Sequence, residues 1–239
     1  MKKFELVTDM SISFLGRKLF RIRALVDFTT KWGDTIKAGD LGGYVEKEEN
    51  LSHEGNAWVF GNARVFGNAR VFGNAEVSDN ARVFGNARVY GNAWVSDNAC
   101  VYGNAEVYGD ACVYGDACVF GNAEVSDNAR VYGNAEVYGD ACVYGNARVY
   151  GNAEVYGDAE VSGINHILTV GPIGSRNATT TFFRDKNNEI TVACSYFLGN
   201  IEDFLKKVEE THGDNKHAKA YQVAAELAKI QIDLTKDEV

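Results

Sequence analysis

The chain has a single proline, Pro172, and between Asn56 and Ser162 it has neither lysine nor histidine. With so little proline, its 25 glycines carry the turns, and most of them recur at a fixed spacing rather than in linker-like clusters. No apolar run is long enough to cross a bilayer. The opening "MKKFELVTDM" has no apolar core after its lysine pair, so a cytoplasmic protein is expected. The cysteines are five, an odd number without paired metal-ligand spacing. They read as reduced thiols, and the four scattered histidines add no metal signature. Positive charge is scarce as well. The Asn56–Ser162 stretch holds six Arg against six Glu and seven Asp, and the net charge of the whole chain is −9. Without a basic stripe, neither nucleic acid nor an anionic membrane is an expected partner.

What is present is a period. Valine recurs every six residues from Val59 to Val161, eighteen times without a slip, and alanine follows four residues after each valine through Val155. Six fits no helical stripe. It fits a strand of about three residues, such as Arg64-Val65-Phe66, followed by a corner. Alternation then points valine inward and its neighbours outward. The corner residues are Gly-Asn, Gly-Asp or Asp-Asn, types that tolerate a positive φ. A fixed period over this length predicts a stacked array with a cap at each end.

The unit V-[YFS]-[GD]-[ND]-A-[RECW] resembles the hexapeptide-repeat family, from roughly Tyr44 to Ser162. The resemblance implies a left-handed parallel β-helix with three hexapeptides per coil, hence about six coils with residues eighteen apart in register. The mainly-β chain then divides into an N-terminal β-hairpin cap (1–50), the β-helix (51–162) and a small C-terminal α+β domain (163–239). One repeat, Leu51 to Val59, is two residues too long. In the flanks, "ISFL" and "KLFRIRAL" predict a hairpin around Gly16-Arg17. "HILTV" reads as a strand, and "TTTFF" and "EITVACSYF" as a hairpin around "RDKNN". Asn200 is placed to cap a helix ending at Gly213. A second helix presents Ala218, Tyr221, Ala225, Leu227, Ala228 and Ile232 on one face. The blocks "GDLGGYVEKEENLSHEGNAWV" and "GPIGSR…FF…THGDNK" make the whole layout similar to hexapeptide proteins of bacteria and their phages, which implies a phage or prophage setting.

Many hexapeptide proteins are acyltransferases, and the resemblance raises that activity. Such an enzyme needs a histidine base and a loop thrown out from a coil. Here the coils carry neither, and only His53 and His166 flank them. No catalytic residue, metal or cofactor is therefore assigned, and an acyltransferase with an atypical base is the alternative.

The outward columns point to binding instead. One reads Phe66, Phe84, Tyr102, Phe120, Tyr138, Tyr156, beside Arg64, Arg82, Cys100, Cys118, Glu136, Glu154. Aromatic patches of this size are uncommon on monomers. An antiparallel two-fold partner would set Arg64 and Arg82 against Glu154 and Glu136, so a dimer is preferred to a trimer. Cys100 and Cys118, eighteen apart, should stack on this face as two thiols rather than a disulfide.

A second candidate is the loop "VGPIGSR", whose Gly174, Ser175 and Arg176 could cradle an anion, with His212 facing the same pocket. A simple turn is the plainer reading of the loop. The sequence thus predicts a self-associating interaction protein, of a type suited to a phage factor, that binds a host protein or a small anionic, nucleotide-like ligand.

Overall fold

The computed structural model describes residues 2–235. A parallel β-solenoid of about seven turns forms its body. All eighteen repeat valines point inward with at most 1% of their surface exposed, and the repeat alanines lie between them almost fully buried. Residues eighteen apart pair in parallel register, as in Val83↔Val101 and Val101↔Val119. The strands are shorter than expected, two residues each, for instance Arg64–Val65. The ladder nevertheless continues through the third residue, whose N–H still bonds the next coil: Phe66 N–H donates to Val83 O at 3.1 Å.

Val45 and Leu51 add a turn ahead of the valine series. Val45 pairs with Val65, and Leu51 bridges Val71. The long repeat after Leu51 therefore shifts the first register to twenty residues, Tyr44↔Arg64.

The corners explain their composition. Gly103 has φ +75°, and a Cβ there would sit 3.0 Å from the Gly121 nitrogen in the next coil. Where aspartate replaces glycine, as at Asp97 (φ 57°), its carboxylate accepts the N–H of Gly115 at 3.0 Å. Corner amides chain along the axis: Asn80 donates to Asn98 at 3.4 Å, and Asn98 to Asp116 at 2.9 Å.

The flanks close the two ends. Strands Phe4–Phe14 and Arg17–Ala24 form the expected hairpin and extend one solenoid face into a nine-stranded sheet through Leu41–Val45. At this end the buried Lys3 ammonium donates to Gly55 O at 3.0 Å and Ala57 O at 2.8 Å. Burial pulls its pKa down to about 8.

At the other end an antiparallel sheet (Ile167–Ile173, Ala178–Arg184, Ile190–Cys194, Phe197–Asn200) carries α1 (Ile201–His212) and α2 (Lys216–Gln231). Two-residue alternation does the joining. Phe183 joins the solenoid core, while Phe182 joins the core under the helices. Asn200 caps α1 as expected, accepting the Asp203 N–H at 2.8 Å, and Gly213 ends the helix. On α2 the buried stripe is Ala218, Tyr221, Ala224, Ala225 and Ala228, followed by Ile232. Leu227, expected on this face, is 45% exposed because it lies two residues past Ala225, off the 3–4 spacing. No helix among the described residues is long and apolar enough to cross a membrane.

Candidate functional site

The C-terminal domain contains a cavity of about 360 Å³ where its sheet meets the helices. Ser175 and Arg176 reach it from the turn after Ile173, and His212 from the end of α1. Gly174 is not in the wall but stands directly behind it. Its φ is +75°, and a Cβ there would fall 1.9 Å from the Tyr221 hydroxyl oxygen. Glycine is thus the residue that lets Tyr221 press its hydroxyl into this corner. The Tyr221 oxygen lies 3.9 Å from Cys194 Sγ, and burial pushes the phenol up to about 12, so it stays protonated and can donate.

The remaining walls are aromatic and basic. Phe204 meets Tyr221 edge-on at 5.4 Å, His212 stacks on Tyr221 at 5.9 Å, and Phe197 tilts against Phe204 at 5.4 Å. Lys207 adds a second basic side chain, which also pairs with Glu210 at 3.2 Å. No carboxylate lines the cavity among the described residues. Ser195 adopts φ 54° in the two-residue turn between Cys194 and Phe197, and this turn holds Tyr196 out with 98% of its surface exposed. Unlike glycine, serine resists that conformation. Tyr196, Lys207 and Phe204 were not singled out from sequence. Lys207 and Phe204 look like ordinary residues of an amphipathic helix, and "EITVACSYF", expected as a single strand, is divided by this turn into Ile190–Cys194 and Phe197–Asn200.

On the solenoid, the aromatic column stacks ring on ring. Successive centroids from Phe66 through Phe84, Tyr102, Phe120 and Tyr138 to Tyr156 lie 5.0, 4.9, 4.8, 4.7 and 4.5 Å apart. Its ends belong to the flanks. Phe14 meets Phe66 edge-on at 5.8 Å, and Tyr156 donates to Phe197 O at 3.4 Å. Phe66 is consequently buried, whereas the rings from Phe84 to Tyr138 keep part of their surface in solvent.

Beside the column, Arg64 stacks on Arg82 and Glu136 on Glu154. Burial and the Glu136 charge both raise the Glu154 pKa. Between these like-charged pairs, Cys100 and Cys118 are register partners and both are free thiols. A hydrogen bond from Cys118 and the Arg82 guanidinium, 2.7 Å from Sγ, bring the Cys100 thiol down to about 6. The same coupling and burial push Cys118 up.

The two histidines flanking the coils serve the caps. His53 Nδ1 accepts the Lys3 N–H at 3.2 Å, its Nε2 lies 2.6 Å from Glu48, and its ring stacks on Phe4 at 4.4 Å. His166 is 5% exposed, and its Nδ1 accepts the Ser162 N–H at 3.2 Å.

A family model described as the YdcK Beta solenoid repeat matches residues 63–79, 75–90, 81–97 and 141–157. No curated protein matches the chain. All four matched segments lie in the repeat region, where the inward valines form three parallel sheets. Sequence period, register and match agree: the repeat region is a parallel β-solenoid whose coils are similar to the YdcK Beta solenoid repeat.

Proposed function

We propose that this is a cytoplasmic binding protein whose C-terminal cavity takes a small anionic, nucleotide-like ligand. The observation that carries the reading is the convergence of Arg176, Lys207 and His212 on an aromatic cavity without a carboxylate in its wall. A phosphate would accept from Arg176 in the two-pronged geometry that guanidinium offers. A base would stack on Tyr196 or Phe197. The cavity volume lies within the range of small-ligand sites. Binding is favoured over acyl transfer because both histidines flanking the coils have their Nδ1 committed to backbone N–H groups. A ligand-sequestering role suits the phage setting that the sequence resemblance implies.

Calorimetric titration with ADP tests the reading. Arg176→Ala, an exposed substitution, should weaken ADP roughly tenfold to a hundredfold. Adenosine, lacking phosphate, should bind no better than ADP binds the variant. Equal ADP affinity in both proteins would refute the site. Acetyl-coenzyme A binding that survives Arg176→Ala would instead favour the acyltransferase.

A second reading, self-association through the aromatic face, has its own support. Like charges stack at each end, Arg64 on Arg82 and Glu136 on Glu154, and an antiparallel copy would relieve both pairs. Such a copy would lie on Phe84 to Tyr138, between the two flanks. Reversing charge with Glu136→Arg and Glu154→Arg should shift the sedimenting species to the monomer mass. A mass unaffected by both changes would count against this interface.

A further inference from the structure

The third solenoid face carries a cavity unrelated to the one above. It has a volume of about 360 Å³ and lies where the N-terminal flank folds over the coils. The outward column here reads Trp58, Glu76, Trp94, Cys112 along the axis. Its neighbouring column, an aromatic ladder further along, is interrupted by Ser78 and Ser96. Trp94 stacks on Tyr114 at 6.1 Å. Trp32 also approaches Trp94, with centroids 6.4 Å apart and planes tilted by 50°. Trp32 belongs to a built turn: Thr30 N–H donates to Asp34 O at 2.9 Å, Asp34 N–H to Thr30 Oγ1 at 3.2 Å, and Gly33 takes φ +97°.

The floor of this aromatic corner is a carboxylate. Glu76 is 3% exposed, receives only a long hydrogen bond from Trp32 N–H at 3.4 Å together with one from the Thr30 side chain, and has Asp34 as a second acid nearby. It forms no ion pair among the described residues, although comparable stacked positions elsewhere do, as with Arg88 and Glu106 at 2.9 Å. Burial above all, with the Asp34 charge, raises its pKa against the hydrogen bonds from Thr30 and Trp32. Arg130 also lines the cavity, but it stands two coils beyond Trp94 whereas Glu76 stands one coil before it. The Trp32–Trp94 corner is therefore dominated by negative charge.

We infer that this cavity binds an alkylated ammonium group, held against the rings of Trp32 and Trp94 that line it and neutralised by Glu76 and Asp34. Tilted aromatic walls with an acidic floor suit a large, weakly hydrated cation through cation–π attraction and ion pairing. They suit neither an anion nor a neutral sugar equally well, because a buried carboxylate without a counter-charge opposes the first and gains nothing ionic from the second.

Tryptophan fluorescence provides the readout, since two of the three tryptophans line the site and the third, Trp58, is buried. Choline should quench the emission saturably. Its uncharged isostere 3,3-dimethylbutanol should not, and equal quenching by the two would overturn the inference. Trp32→Ala removes an exposed loop ring and should weaken choline by about tenfold. Glu76→Gln keeps the shape but not the charge and should weaken it at least as much. Unchanged choline affinity in Glu76→Gln, with the far-ultraviolet circular dichroism of the parent, also overturns the inference. Phosphocholine and a peptide carrying trimethyl-lysine present the same head group from two sources. Saturable binding of either, competed by choline, supports the site and identifies the source.

Discussion

Val107→Asp is expected to leave the solenoid without a cooperative native state at room temperature. Val107 is fully buried in a middle coil, in register with Val89 above and Val125 below. A carboxylate at this point meets only valine and alanine side chains and cannot reach water or a cation. Burying an uncompensated charge costs more than the roughly 4–5 kcal/mol that marks the exceptional end of single substitutions. Domains are stable by only about 5–15 kcal/mol in total. In a one-dimensional stack the damage also breaks coupling between the coils on either side. The contrast lies one residue away: Glu106 already carries a carboxylate, on the outer surface, paired to Arg88. Val107→Ala removes only methyl groups and should cost about 2 kcal/mol, leaving a folded protein with an earlier urea midpoint. Circular dichroism with urea titration separates the three outcomes. A native-like transition in Val107→Asp would mean that the valine column does not form the core.

Arg184→Met should give the second-largest loss, at the junction between solenoid and C-terminal domain. The Arg184 side chain is 1% exposed. Its guanidinium donates to Glu160 O at 3.2 Å, to Ser162 Oγ at 3.0 Å and to Thr235 O at 3.1 Å. The first two partners belong to the end of the final coil, which no further parallel coil follows among the described residues and which Asp185 and Lys186 only partly pair. Methionine fills much of the space but donates nothing. Ser162 Oγ keeps His166 Nδ1 at 2.9 Å. The loss falls on the Glu160 and Thr235 carbonyls, where a buried acceptor deprived of its donor costs about 1–3 kcal/mol. A loss of about 3 kcal/mol or more is expected, with a lower midpoint and concentration-dependent light scattering as the exposed coil end recruits other chains. Arg184→Lys keeps one charge and fewer directed bonds, so its midpoint should fall between those of Met and the parent. An unshifted midpoint in Arg184→Met would show that the end of the solenoid is closed without it, by Phe183 and Ala193 packing and the backbone bonds at Asp158 and Ala159.

These two positions differ in how visible they are in the sequence. Val107 stands in a series whose period states its role. Arg184 is an isolated basic residue at the end of "TTTFFR", and nothing local distinguishes it from a solvated charge. The same division runs through the candidate sites. Gly174, Ser175 and Arg176 stood out as a glycine-bounded loop ending in a cation. His212 could be suspected of sharing their pocket. Lys207, Phe204 and the projecting Tyr196 could not be anticipated, because helix α1 must first be laid across the sheet before they share a cavity. The Trp32–Trp94 corner is more remote still. It unites a turn in the N-terminal flank with coils more than forty residues away.

The eighteen-residue register was an implication of the resemblance to the hexapeptide-repeat family, whereas by itself the sequence determined the inward valines, the corner residues that take a positive φ and the two-residue irregularity after Leu51. All of these follow from interactions that repeat at short, constant separation, so each copy of the unit states the same rule again. Tertiary structure alone decided how the ends are closed and where the cavities lie. Lys3, Phe183 and Arg184 act as caps, and Arg176, Glu76 and Trp32 acquire their neighbours, only through contacts between segments that occur once in the chain. Such contacts have no period to betray them, and their energies depend on burial that exists only after the chain has folded.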